Sequence, residues 1–307
     1  REEALSGLRA LAEGQPAPHL ITGTAREPAK TVFVFPGQGT QWAGMGAELY
    51  GSSPVVAEAI DEIAAVLDPL TGWSLVDLVR GVANGPSLER VDVVQPASFA
   101  LMVSLARLWE AHGITPDAVV GHSQGEIAAA HVAGALTLDD AATVVALRSQ
   151  AIAAHLAGHG GMASLTLTPE ETRTLLTGYP GLEVAAFNGP QSTVVAGNPR
   201  SLDRLLAHCE SREIRARRIP VDYASHTSHV EAIHGQLTTL LGDLAPEPPR
   251  VPFYSTLERD WLTPGTPLDA GYWYRNLRHP VHFASATRTL ADEGHSTFIE
   301  VSTHPVL

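Results

Sequence analysis

A single cysteine, Cys209, in 307 residues excludes an internal disulfide and a Cys-rich metal site, and is compatible with a reducing, cytoplasmic setting. Between His208 and Glu210 in a helical stretch, it reads as an inert or buried thiol. Basic side chains are also scarce. Twenty Lys and Arg stand against 33 Asp and Glu, a net charge of −13, which argues against nonspecific binding to nucleic acid or to an anionic membrane. An anionic substrate must therefore be met by a local positive group. No apolar run reaches membrane-spanning length, and the N-terminal REEALSGLRALAEG has a charged amphipathic pattern in place of a secretory signal. The sequence begins without Met and stops at Thr303-His304-Pro305-Val306-Leu307 in what reads as a continuing fold, so a piece of a longer polypeptide is expected.

What is present centres on Ala118–Ala130, AVVGHSQGEIAAA. An apolar run enters Gly121-His122-Ser123-Gln124-Gly125 and then a helix-forming segment: strand, sharp turn, helix, with Ser123 at the turn, the G-x-S-x-G pattern of a nucleophile elbow. Glycines suit positions 121 and 125 because the turn brings backbone against backbone. The alternative is a serine in an ordinary glycine-bearing loop. A second buried strand, Thr31–Phe35, enters Pro36-Gly37-Gln38-Gly39-Thr40-Gln41, where an open α/β sheet places ligand. No G-K-[ST] follows, so this is not a Walker loop.

With 44% hydrophobic residues the chain can bury a large core. Residues 1–30 read as a short helix and a linker broken at Pro16, Pro18 and Pro28. Helices are predicted over Pro54–Leu67, Pro96–His112 (Pro96 as first helical residue; Phe99, Met102, Leu105 and Trp109 as a core stripe), from the elbow to about Gly134, and from Asp139 to about Ala157. The last carries Arg148 at the end of an apolar run, either snorkelling to the surface or buried as an anion clamp; periodicity favours the surface. A flexible joint at Gly158–Gly161 opens a β-α-β-β-α-β segment, a ferredoxin-like subdomain expected over 158–226. Its Arg215, Arg217 and Arg218 read as an exposed strand face. The remainder, with a helix at Val230–Leu241, strands near Phe253–Thr256 and Thr297–Val301 and a helix at Phe283–Asp292, returns to a large parallel α/β subdomain comprising 31–157 and 227–307.

A serine near its free pKa needs a positioned base. Fourteen histidines are candidates and spacing selects none of them. His155 with His159, and His226 with His229, have helical spacings that make a metal site the formal competitor, but no H-E-x-x-H accompanies them and no metal ligands are assigned.

Phe35-Pro36-Gly37-Gln38-Gly39-Thr40-Gln41, Gly121-His122-Ser123-Gln124-Gly125-Glu126, Arg148 and Tyr223-Ala224-Ser225-His226 stand in the order and approximate spacing of one family. From Thr31 onward the chain resembles the acyltransferase domains of modular type I polyketide synthases, relatives of malonyl-CoA:acyl carrier protein transacylases, with a hydrolase-like large subdomain. Residues 1–30 resemble the end of the linker from a ketosynthase. The resemblance implies Ser123 as acylated nucleophile, His226 as its base oriented by a backbone carbonyl near Ser255, and the N–H groups of Gln38 and Gln124 as oxyanion hole. It implies Arg148 as clamp on a malonyl-type carboxylate, with Gln95, Tyr223 and Ser225 lining the acyl pocket. Acyl-CoA would be the donor, the phosphopantetheine of an acyl carrier protein the acceptor, and no cofactor would be bound. The Y-A-S-H pattern resembles that of methylmalonyl users; malonyl and larger alkylmalonyl donors are the alternatives. A serine hydrolase or thioesterase, which shares the elbow, and a noncatalytic docking module of a megasynthase are the competing functions.

Overall fold

The computed structural model describes residues 2–18, 20–23, 29–83 and 85–307. Among these, nine strands fall into two sheets. The first comprises β1 (Lys30–Phe35), β2 (Ala118–Gly121), β7 (Phe253–Ser255), β8 (Asp260–Trp261) and β9 (His295–Glu300), in the order β8-β7-β2-β1-β9. β1 runs parallel to β2 and β9, and β2 parallel to β7; only the short edge strand β8 is antiparallel. The continuous apolar runs of β1 and β2 follow from burial on both faces. Phe33, Phe35 and Val119 face helices Pro54–Thr71, Val91–Ala111 and Leu138–His155, whereas Val32, Val34, Ala118 and Val120 pack with Phe283, Ala286 and Leu290 of helix Phe283–Asp292.

The second sheet is built from β3 (Gly161–Leu165), β4 (Leu182–Gly189), β5 (Ser192–Gly197) and β6 (Ala216–Ile219), ordered β4-β5-β3-β6 with every pairing antiparallel. Helices Pro169–Leu176 and Pro199–Ser211 complete the β-α-β-β-α-β succession. A capping box at Thr168/Glu171 and an Asn198 side-chain cap start them, each with Pro at the first helical turn. Ala185, Ala186, Val194 and Ala196 of this sheet share a core with β1 and β2, and the backbones of Ala185 and Phe187 bond to Val281. The segment around Gly158–Gly161 is tied rather than loose: Gly158 N–H donates to the Asp222 carboxylate and Gly160 N–H to the Asp222 carbonyl.

Several local expectations are corrected. The helix predicted from Pro96 begins at Val91, and Pro96 lies inside it. A proline there forfeits one backbone hydrogen bond near the helix start, a loss that burial of 14 of the helix's 21 residues outweighs, so Pro96 marked the neighbourhood and not the first residue. Of the predicted stripe, Phe99 and Met102 are buried, Leu105 is half-buried and Trp109 is exposed, because the last turn of the helix runs past the core. That same 21-residue helix is, by length and composition, apolar enough to cross a membrane, contrary to the reading of the sequence; 78% of its most apolar window is buried in the protein, and it is a core helix. Val230–Leu241 is split into a 3-10 turn, Ser228–Ile233, and a helix, His234–Leu240. Cys209 is buried, and burial pushes its thiol pKa up. Arg215, Arg217 and Arg218 are exposed, and Arg218 pairs with Asp203. Helix Glu2–Ala12 buries no residue and presents Leu5, Leu8 and Leu11 to solvent; the break at Pro28 lies outside the described residues.

Candidate active site

Ser123 sits between β2 and helix Gly125–Val132 with φ +55°, a left-handed conformation that is costly for a side-chain-bearing residue and holds the hydroxyl outward. The turn is tight enough to demand its glycines. A Cβ at Gly121 would stand 2.2 Å from the Glu126 nitrogen, and one at Gly125 would stand 2.1 Å from the Phe35 carbonyl oxygen. That second approach, with the His122 N–H donating to Phe35 O at 2.8 Å, locks the elbow to the end of β1, where the Gln38 turn begins. Among the described residues the N–H groups of Gln38 and Gln124 have no intramolecular acceptor.

His226 lies 103 residues downstream, also left-handed, with φ +62°. Its Nε2 is 2.8 Å from Ser123 Oγ and its Nδ1 is 2.8 Å from the carbonyl oxygen of His279. A carbonyl can only accept, so the proton is on Nδ1 and Nε2 is free to receive the serine proton. The orienting carbonyl is therefore that of His279 and not one near Ser255: the chain after helix Ala270–Arg278 wraps the imidazole, and Leu277 O also accepts the His226 N–H at 2.7 Å. Ser255 instead bonds to Tyr272 OH at 2.7 Å. Burial lowers the His226 pKa to about 3, with the positive field of Arg148 acting in the same direction. Next to Ser123, His122 Nε2 contacts Asn188 Oδ1 at 2.8 Å.

Arg148 is not at the surface, where periodicity by itself would place it. Its side chain is 0% exposed. Nη1–H donates to Asn276 Oδ1 at 2.7 Å, while Nε and Nη2 have no partner among the described residues. Burial lowers its pKa to about 10, so it remains a cation at neutral pH. Beside it, Tyr223 OH donates to Gln38 Oε1 at 2.8 Å and accepts from Gln95 Nε2 at 3.3 Å; its pKa, raised to about 12 by burial, keeps the phenol neutral. Ser225 is buried, with its hydroxyl 3.5 Å from Met162 Sδ on β3. Both polar ends of the buried Gln124 side chain, and Gln95 Oε1, lack partners among the described residues. Of the other histidines weighed from spacing, His155 and His159 are exposed.

Two residues not singled out from the sequence complete the cluster. Asn276 Nδ2 donates to Glu126 Oε2 at 2.9 Å and lies 3.4 Å from Ser123 O. Glu126, fully buried, also accepts from Tyr272 OH at 2.7 Å and from the N–H and hydroxyl of Thr256 at 2.6 and 2.7 Å. Glu126 carried the same signal as Arg148, a lone charge in an apolar helical run; Asn276 was marked only by its place four residues after Tyr272 on one helix face.

Residues 32–307 match the family model described as acyl transferase domain. Over 289 residues the chain is 59% identical to the pikromycin polyketide synthase component PikAII of Streptomyces venezuelae, covering 94% of this chain and 8% of that protein. The acyltransferase domain from module 8 of the salinomycin polyketide synthase superposes with a TM-score of 0.92 at 53% identity, over 98% of this chain and 71% of that one. The chain is an acyltransferase domain of a modular polyketide synthase. Such domains are related to the simpler transacylases: the malonyl CoA-acyl carrier protein transacylase of Coxiella burnetii superposes with a TM-score of 0.80 at 27% identity, over 91% of this chain and 89% of that one. The acyltransferase domain thus spans a small fraction of the synthase component that it matches.

Proposed function

We propose that this acyltransferase domain moves a carboxylated acyl group, with methylmalonyl preferred, from CoA to the phosphopantetheine thiol of an acyl carrier protein through an ester on Ser123. The observation that carries the reading is Arg148: a cation buried without a carboxylate of its own, with two donor nitrogens unpartnered among the described residues, one side chain away from the nucleophile. A buried guanidinium with free donors is strongly unfavourable unless a partner arrives, and a carboxylate fits its planar fork. A hydrolase of simple esters has no use for it.

In this mechanism Ser123 Oγ attacks the thioester carbonyl as its proton passes to His226 Nε2. The oxyanion is met by the N–H groups of Gln38 and Gln124, with the helix N-terminus behind Gln124 adding positive potential. The C–S bond breaks, the imidazolium returns the proton to the CoA sulfur, and the carrier-protein thiol then repeats the sequence against the ester. Arg148 holds the carboxylate so that the carbonyl meets Ser123 in attack geometry. A groove of about 760 Å³ beside Gln38, lined by Trp42, Leu78, Val82, Leu88 and Pro220, is a path for the pantetheine arm. No bound cofactor is required. Under the same reading, 31–157 and 227–307 form a hydrolase-like subdomain, 158–226 a ferredoxin-like one, and the domain works in the cytoplasm beside a ketosynthase, to which 1–30 leads.

Arg148→Ala tests the clamp. Loading from malonyl- and methylmalonyl-CoA is expected to fall about a hundredfold or more in kcat/KM, while propionyl- or acetyl-CoA loading is retained or improved. Equal losses for charged and uncharged donors would make Arg148 structural.

The methyl preference rests on Tyr223-Ala224-Ser225-His226, which resembles the pattern of methylmalonyl users, together with Gln124 in the elbow, which leans the same way. A serine beside the base leaves room that a phenylalanine would fill, and its hydroxyl points to Met162, so a bulkier residue would also displace that thioether. One methylene-sized difference discriminates by roughly tenfold to two-hundredfold. In competition at equal concentrations methylmalonyl-CoA is expected to exceed malonyl-CoA within that range, and the double change Tyr223→His, Ser225→Phe to narrow the ratio. A ratio of one or below overturns the assignment.

A further inference from the structure

We propose that Glu126 is a positioning residue for donor selection: by accepting from Asn276 Nδ2 it fixes the amide so that Oδ1 faces Arg148 and the guanidinium keeps its other two donors for the acyl carboxylate. This rests on the reading of Arg148 as the carboxylate clamp.

The polarity of each contact enforces the next. Thr256 N–H, which can only donate, lies 2.6 Å from Glu126 Oε1, and Asn276 Nδ2, which can only donate, lies 2.9 Å from Oε2. Each oxygen of Glu126 is thus used as an acceptor, with Thr256 and Tyr272 hydroxyls reinforcing both. With Nδ2 held there, the only atom that Asn276 can turn to Arg148 is Oδ1, which accepts from Nη1 at 2.7 Å. A neutral amide is the right partner for this purpose. It anchors one corner of the guanidinium without cancelling its charge, whereas a carboxylate at position 276 would occupy the cation permanently and compete with substrate. The nearby carboxylate of Glu126 offsets the charge of Arg148 in the buried site from one side chain further away, and the electrostatic attraction between the two is felt at Arg148. Burial raises the pKa of Glu126 while its four donor groups pull it down, so the donors are what make a charged acceptor tolerable there.

The consequence is specific. In Glu126→Gln the side-chain oxygen must stay on Thr256 N–H, which places the new amide nitrogen where Oε2 was, donor against donor with Asn276 Nδ2. The Asn276 amide turns over to accept from that nitrogen, and its Nδ2 then faces Arg148 Nη1. A guanidinium repelled at that corner leaves its productive position, although the Ser123–His226 contact does not pass through it.

The experiment compares Glu126→Gln, Asn276→Leu, Arg148→Ala and the unaltered domain for loading from methylmalonyl-CoA and from propionyl-CoA, with thermal unfolding of each as a check on folding. Glu126→Gln and Asn276→Leu are expected to raise KM for methylmalonyl-CoA tenfold or more relative to that for propionyl-CoA, whereas any effect of disturbing the Asn276 Nδ2–Ser123 O contact falls on both donors alike. Asn276→Leu keeps Glu126 and deletes the whole amide, both the acceptor that faces Arg148 and the donor that faces Glu126 and Ser123 O, so it breaks the relay at its middle member and carries the test if Glu126→Gln does not fold. Tyr272→Phe, which removes a donor to Glu126 without touching Asn276, is expected to leave the ratio of the two donors unchanged. If Arg148→Ala is donor-selective but Glu126→Gln and Asn276→Leu lower both donors equally, the relay is wrong and the clamp stands. If Arg148→Ala is itself unselective, the clamp is wrong and the relay falls with it.

Discussion

Ser123→Ala is expected to take up no acyl group from any acyl-CoA, with turnover to a carrier protein reduced by a factor on the order of 10⁴ or more. Without the ester there is nothing for the carrier thiol to collect, and the neighbouring groups offer no substitute. Cys209 is buried in the core of the second sheet, its pKa raised, and His226 is aimed at position 123 rather than at the entrance. The fold should survive, because the hydroxyl bonds only to His226 and the strained backbone is held by Gly121, Gly125 and the Phe35 carbonyl. Intact-mass measurement after mixing with methylmalonyl-, malonyl- and propionyl-CoA reads the result directly. An adduct on the variant, mapped to another side chain, would sink the mechanism.

The second large effect is that of His226→Ala, for which acylation should fall about 10³-fold or more while the protein stays folded. The pH dependence of the unaltered domain carries additional information. A free imidazole, with a pKa near 6.5, is about thirtyfold more protonated than neutral at pH 5 and would lose its capacity as a base accordingly. Burial places the His226 pKa at about 3, so the neutral form persists throughout that interval. The rate of acylation by methylmalonyl-CoA is therefore expected to be flat from pH 7.5 to pH 5, with no loss traceable to His226. The His279 carbonyl contributes orientation but no negative charge, in contrast with a carboxylate, which would raise the pKa and bring the loss into the neutral range. A titration with a midpoint near 6.5 would show that the base is exposed in the working enzyme.

How much of this was legible in the chain differs from residue to residue. The elbow was, because a strand-turn-helix with two glycines is a local object: Ala118–Gly121, Ser123 and Gly125–Val132 are contiguous, and backbone crowding explains both glycines. The β-α-β-β-α-β succession of the second sheet was also legible, since strand alternation, Pro at the first helical turn and Thr or Asn caps are short-range signals. Resemblance of four motifs, rather than physics, selected His226 from fourteen histidines.

The sequence by itself determined the local elements, their order, the strand-turn-helix that presents Ser123 and the deficit of positive charge that makes any buried cation informative. Periodicity left Arg148 at the surface and only the resemblance implied a clamp; tertiary structure decided which face of helix Leu138–His155 looks inward and buried Arg148 completely. It alone supplied the His279 carbonyl, Asn276 and the donors around Glu126, which come from segments more than 100 residues from the elbow. The reason is physical: a hydrogen bond between groups so far apart in the chain leaves no periodicity at either end. Hydrophobic patterning records which residues leave water but not which polar partner waits for them inside.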